Sequence, residues 1–238
     1  MSRAALVLLA LAVCASGCGR GGLREDLAAT GDNMRKIRAG VIDFSLLVTP
    51  HAAKARNPFG WKLRGPFAFG DVPTARVVYT QIANGRSADD TLVLDKAGGY
   101  ALVDGRRRSL TDSNLAELRG SAQRVRTGGS IEIGKWIKSA SGCGERCARG
   151  ELDVAAAANT LLELAGSRRT LSDAEADQLA KATRNATYRA EWTDEHLLRN
   201  LEVHVDLGFA SPPTLREALG KLVGATFDLQ LGMQHPRT

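Results

Sequence analysis

The chain has 238 residues, 44% apolar and 24% charged, with a formal charge of +6. Those proportions are globular and exclude wholesale disorder or a collagen-like repeat. The long apolar run free of charge, Ala4 to Val13, is ten residues and too short to span a bilayer as a mature helix.

The N-terminus reads as an address. Ser2-Arg3 gives a positive start, Ala4 to Val13 an apolar core, and Ala15-Ser16-Gly17 three small residues, the order of features in a secretory signal. Cys18 follows directly, and Ala-Ser-Gly-Cys resembles the lipobox of bacterial lipoproteins, whose cysteine carries a diacylglycerol and becomes the new N-terminus. The expected organisation is a lipoprotein signal peptide over residues 1–17, an acylated Cys18 with a flexible tether over 18–22, and one domain over 23–238. Two or three acyl chains, at roughly 0.8 kcal/mol per buried methylene, hold such a protein on a membrane.

Four cysteines occur in the chain. Cys14 leaves with the signal and Cys18 is acylated, so Cys143 and Cys147 remain as a pair in an exported, disulfide-permissive setting. Cys143-Gly-Glu-Arg-Cys147 reads as a small disulfide loop. The rival reading, a metal or redox site, lacks a second cysteine pair or a nearby histidine.

Along the chain, Leu23, Leu27, Met34 and Ile37 lie on helical spacing and predict a helix over Leu23 to Ala39. The period then changes to two. Ile42, Phe44, Leu46 and Val48 alternate with polar residues, and strand-like runs follow at Phe59 to Phe69, Thr74 to Ala83, Thr91 to Asp95 and Tyr100 to Val103. Asn84-Gly85 and Asp104-Gly105 are hairpin turn dipeptides. Helices are predicted at Leu110 to Leu118, Ile131 to Lys138 and Val154 to Ala165, and Ser172-Asp-Ala-Glu175 is a capping-box pattern opening another helix. Alternation then returns through Tyr188, Ala190 and Trp192, through Leu201 to Leu207, and through Phe227 to Met233. The reading is α+β, with about nine antiparallel strands whose apolar face must be covered by the helices.

These residues resemble a family. The lipobox, the first helix, the long meander, Gly134-Lys135-Trp136-Ile137, the passage Gly150-Glu151-Leu152-Asp153-Val154, and late strands through Thr187-Tyr188-Arg189-Ala190-Glu191-Trp192 and Leu197-Leu198-Arg199 resemble the LppX/LprG group of actinobacterial envelope lipoproteins. The resemblance implies an unclosed half-barrel around a helical plug, as in the lipoprotein carrier LolA, with a hydrophobic cavity for acylated lipid between sheet and helices. It places the protein at the outer face of the cell membrane or elsewhere in the envelope. The implied partners are an acylated lipid or glycolipid, the membrane through the Cys18 anchor, and a membrane transporter. Phe44, Leu46, Val48, Val77, Tyr79, Trp192, Val203, Val205, Leu229 and Leu231 on the strands, with Ala157, Ala158 and Leu161 on a helix, are the candidate cavity residues. The Cys143 to Cys147 insert and a helix-like segment at Thr214 to Val223 depart from the family pattern.

Other chemistry is sparse. Gly129-Ser-Ile-Glu-Ile-Gly134-Lys135 has phosphate-loop spacing, but Trp136 stands where a Ser or Thr would hold magnesium. His51, His196, His204 and His235 are scattered, no Gly-x-Ser-x-Gly elbow occurs, and pairs such as Asp173 with Asp177 read as solvated charge. No catalytic residue, metal site, cofactor or nucleic-acid partner is expected. Arg106-Arg107-Arg108, just past a turn, is either a solvated hairpin end or a patch that attracts anionic head groups. Two function classes remain: a lipoprotein that carries or presents a lipid in a cavity, and a non-enzymatic lipoprotein with a filled core that binds another envelope protein.

Overall fold

The computed structural model describes residues 20–51, 57–128, 133–164, 170–208, 212–214 and 224–238. The expected signal segment and Cys18 lie outside the described residues, as does most of Thr214 to Val223.

Eleven strands form one unclosed antiparallel sheet, an open half-barrel. In chain order they are β1 (Ala39–Pro50), β2 (Phe59–Ala68), β3 (Thr74–Ala83), β4 (Arg86–Leu94), β5 (Gly99–Val103), β6 (Arg106–Ser109), β7 (Ser141–Gly144), β8 (Cys147–Glu151), β9 (Thr183–Trp192), β10 (Leu198–Leu207) and β11 (Ala225–Arg237). The order across the sheet is β6-β5-β4-β3-β2-β1-β11-β10-β9-β8-β7, so two meanders join where β1 pairs with the last strand. Asn84-Gly85 and Asp104-Gly105 each place two successive residues at positive φ, 53° then 73° and 51° then 73°. That conformation matches the right-handed twist of the strands they connect.

Periodicity places eight of the eleven strands at named runs, against an expected total of about nine. The unannounced strands, Arg106–Ser109, Ser141–Gly144 and Cys147–Glu151, carry little or no apolar alternation because they lie at or next to the sheet's two edges. Their pairing comes from backbone hydrogen bonds to a neighbour already in place, which leave no mark on side-chain pattern. Strand β4 likewise begins at Arg86, five residues before the apolar run starting at Thr91.

Among the described residues five helices accompany the sheet: α1 (Arg20–Met34), α2 (Asp112–Gly128), α3 (Ile133–Trp136), α4 (Val154–Leu164) and α5 (Asp173–Ala182). Helix α1 stops before the predicted Ala39, because Lys36 and Ile37 donate to the carbonyls of Asn33 and Met34 in a tightened last turn. It begins at Arg20, so the Arg20 to Gly22 segment read as tether is helical, an extension of the turn that starts at Leu23. Helix α2 extends well past Leu118, and its first turn is closed by the Thr111 hydroxyl, which accepts from the Asn114 N–H at 3.3 Å.

Helix α5 opens on the predicted capping box, with Ser172 Oγ accepting from the Glu175 N–H and the Glu175 carboxylate accepting from the Ser172 N–H. The same carboxylate also accepts from the Thr214 hydroxyl, which ties the segment before β11 to the helix. These bonds, that from Thr214 above all, lower the Glu175 carboxyl to about 2. The folded value lies below the ordinary one, so this contribution to stability is present above about pH 4.5 and is lost as pH falls toward 2. In denaturant unfolding at pH 5 and at pH 2.5, Glu175→Gln should lose less stability on acidification than the parent; an unchanged pH dependence would remove this account.

The packed core is one-sided. Leu27 of α1, Ile133 and Trp136 of α3, Ala157, Ala158 and Leu162 of α4 and Leu179 of α5 close over Ala148, Ala186, Tyr188, Ala190, Trp192, Leu201, Val205 and Leu231. The Trp136 indole donates to Thr160 Oγ1 at 3.0 Å, so its polar edge is satisfied inside the cluster. This core belongs to strands β8 to β11. Cys143 and Cys147 form a disulfide across the β7–β8 hairpin, with Cα atoms 5.1 Å apart. So short a loop contributes only about 2 kcal/mol by chain entropy, and reduction should trim the hairpin without unfolding the domain.

Candidate functional site

Register places the candidate residues. Phe44 pairs with Leu231, Leu46 with Leu229 and Val48 with Phe227, and β10 continues the rows with Leu201, Val203 and Val205. On the other side Phe44 pairs with Leu63, Leu46 with Trp61, and Leu63 with Tyr79. Because side chains alternate across a sheet, these residues share the helix-side face. Val77 lies on the same face of β3, two residues from Tyr79, and pairs with Leu92. One apolar surface therefore runs from β10 through β11, β1, β2 and β3 to β4.

Its two halves differ. Trp192, Val205 and Leu231 are buried within the core cluster, and Ala157 and Ala158 are buried there too. Phe44, Val203 and Leu229 are half-buried at its margin. Leu46 and Leu63 are half-buried, Val48 and Val77 are buried, and none of the four belongs to that cluster. Trp61 and Tyr79 remain 40% and 36% exposed. The side chain of Leu161 lies outside the described residues. Trp61, Leu63 and Leu92 are the members that sequence reading did not single out. Their signal was present as alternation, but Lys62, Arg64 and the acidic start of β4 diluted it.

A concavity of about 830 Å3 crosses the middle of the sheet from Ile82 and Trp61 to Ser141 and Arg149. Leu46, Val203, Leu229, Trp61 and Tyr188 contribute to its wall. Most of its lining residues have the opposite parity, among them Leu47, Lys62, Arg149, Glu202 and the pair His204 and Asp228, whose Nδ1 and Oδ1 atoms are 2.6 Å apart, so it lies chiefly on the sheet face away from the helices. The Tyr188 hydroxyl donates to the Ser139 carbonyl at 3.1 Å, and burial pushes its pKa up to about 12. It serves as a neutral donor at any physiological pH.

Two further histidines are neighbours of carboxylates. His196 in the β9–β10 turn lies 3.0 Å from Asp26 of α1, and His51 lies 3.3 Å from Asp206. Among the described residues no group of three or more His, Cys, Asp or Glu is arranged to hold a metal ion. No described helix is long and apolar enough to cross a membrane. The phosphate-loop spacing falls largely on residues 129–132, outside the described residues.

No protein-family model matches the chain, and no curated protein matches it in sequence. Two solved structures are similar over most of its length. LprF from Mycobacterium bovis shares 11% identity at a TM-score of 0.45, covering 90% of this chain and 94% of that one. The Mycobacterium tuberculosis lipoprotein LppX shares 10% identity at a TM-score of 0.39, covering 91% and 97%.

Proposed function

We propose that this protein is a membrane-anchored envelope lipoprotein that carries or presents an acylated lipid on the helix-side face of β1 to β4. One observation carries the reading: the apolar face continues past the packed core, and its two largest side chains there, Trp61 and Tyr79, stay partly open to water. A core that ended with its apolar residues would leave no such extension. Acyl chains need only non-directional apolar area, at roughly 25 cal/mol per square ångström removed from water, so a binding face for them requires no catalytic group. The lipobox cysteine would hold this face beside a bilayer, where such ligands are found.

The three tryptophans make the test direct, because Trp136 and Trp192 are buried and Trp61 is not. Uptake of a long-chain lipid should shift Trp61 emission to shorter wavelength, and Trp61→Phe should abolish that shift. Leu63→Asp, which puts a charge on the face without touching the core cluster, should weaken lipid uptake by about tenfold or more. A wild-type protein that shows no lipid in native mass spectrometry, and takes up no fluorescent lipid, would favour the protein-binding alternative.

A further inference from the structure

The arginine triplet is split by the strand it forms. Arg107 points to the face away from the helices, where its guanidinium carbon sits 4.0 Å from the Tyr100 ring centroid. Arg106 and Arg108 pair with Val103 and Ala101 and so stand on the helix-side face, the one that carries Tyr79 and Leu92. Arg86, paired with Ala83 at the start of β4, lies on that face as well, but two strands in from β6 and four residues along β4 from Asp90, which shares the row of Arg106, so it stands apart from the pair. Arg106 and Arg108 are exposed, and neither forms an ion pair with a described residue. The carboxylate on the same side in that row is Asp90, with Asp104 in the adjoining turn. Strand β6 is the open edge of the sheet.

We propose that the lipid taken by this face bears an anionic headgroup, a phosphate or carboxylate, seated on Arg106 and Arg108 at the sheet's open edge. The inference rests on the lipid reading above and adds the ligand's charge and direction. From β3, which carries Tyr79, to β6 is three strand spacings, about 14 Å, so acyl chains can lie across Leu92 and Tyr79 while the headgroup stays at the wet edge. Guanidinium groups match the geometry of phosphate and carboxylate oxygens, and Arg106 and Arg108, which have no ion-pair partner among the described residues, have donors available.

The strand's own alternation supplies the control. With phosphatidylglycerol and phosphatidylcholine carrying the same fluorescent acyl chains, the full chain should bind the anionic lipid about tenfold more tightly or better. That preference should collapse in R106Q/R108Q and persist in R107Q, which removes the same kind of charge from the opposite face. Equal affinity of the wild-type chain for the two lipids, or the same loss in R107Q as in R106Q/R108Q, would overturn the headgroup site while leaving the lipid reading intact. Uptake of neither lipid would overturn both.

Discussion

Gly60→Ala and Gly150→Ala should each prevent the domain from folding normally, with losses above about 4 kcal/mol, at the far end of what single substitutions do. A Cβ on Gly60 would overlap the carbonyl oxygen of Leu46 on the paired strand β1, and one on Gly150 would overlap the carbonyl oxygen of Ser139. In both cases the obstacle is backbone, which cannot swing aside as a side chain does. Gly60 sits within the β1–β2 ladder opposite Leu47, and Gly150 within the β8–β9 ladder opposite Tyr188. The added methyl would therefore push β2 from β1 at Gly60, within the apolar face, and push the Ser139 segment ahead of β7 from β8 at Gly150, beside the core. Gly142→Ala is the matched control, since nothing lies within 4 Å of its Cβ position. Thermal unfolding of the three variants decides the matter: a Gly60→Ala protein that melts within a few degrees of the parent would show that the two strands can separate at little cost.

Cys18→Ser should release the protein from the membrane almost completely while leaving the domain folded. The apolar core Ala4 to Val13 is followed by small residues and then Cys18, whereas Cys14 lacks small residues before it, so the thioether is expected at Cys18 alone. The described domain needs no anchor to close its core, which draws on α1, α3, α4, α5 and strands β8 to β11. Fractionation after a salt wash distinguishes acylation from surface attraction, because Arg86, Arg106 and Arg108 would hold the protein only at low ionic strength. A variant that stays with membranes through the wash would remove the lipoprotein proposal, and the localisation that follows from it.

The sequence by itself determined those features that local chemistry can specify. The Asn84-Gly85 and Asp104-Gly105 turns follow from two residues that accept positive φ, the Ser172 to Glu175 cap from a hydroxyl and a carboxylate three residues apart, and the disulfide from the two cysteines that remain once Cys14 and Cys18 are assigned to the expected signal and anchor. Strands such as β3 and β10 were legible because one face is apolar and the other wet. Tertiary structure decided what depends on neighbours. Edge strands β6 and β7 exist because β5 and β8 offer them unpaired backbone, and no residue of Arg106–Ser109 or Ser141–Gly144 announces that. Which part of the apolar face is core was likewise undecidable from alternation: Val205 and Tyr79 obey the same period, yet helices close over the first and leave the second open. The period records only which side of the sheet a residue faces, and what lies on that side depends on residues distant in the chain. The same limit hid the division of the arginine triplet, since a run of three like charges reads as one patch until pairing with β5 sends Arg107 one way and its two neighbours the other.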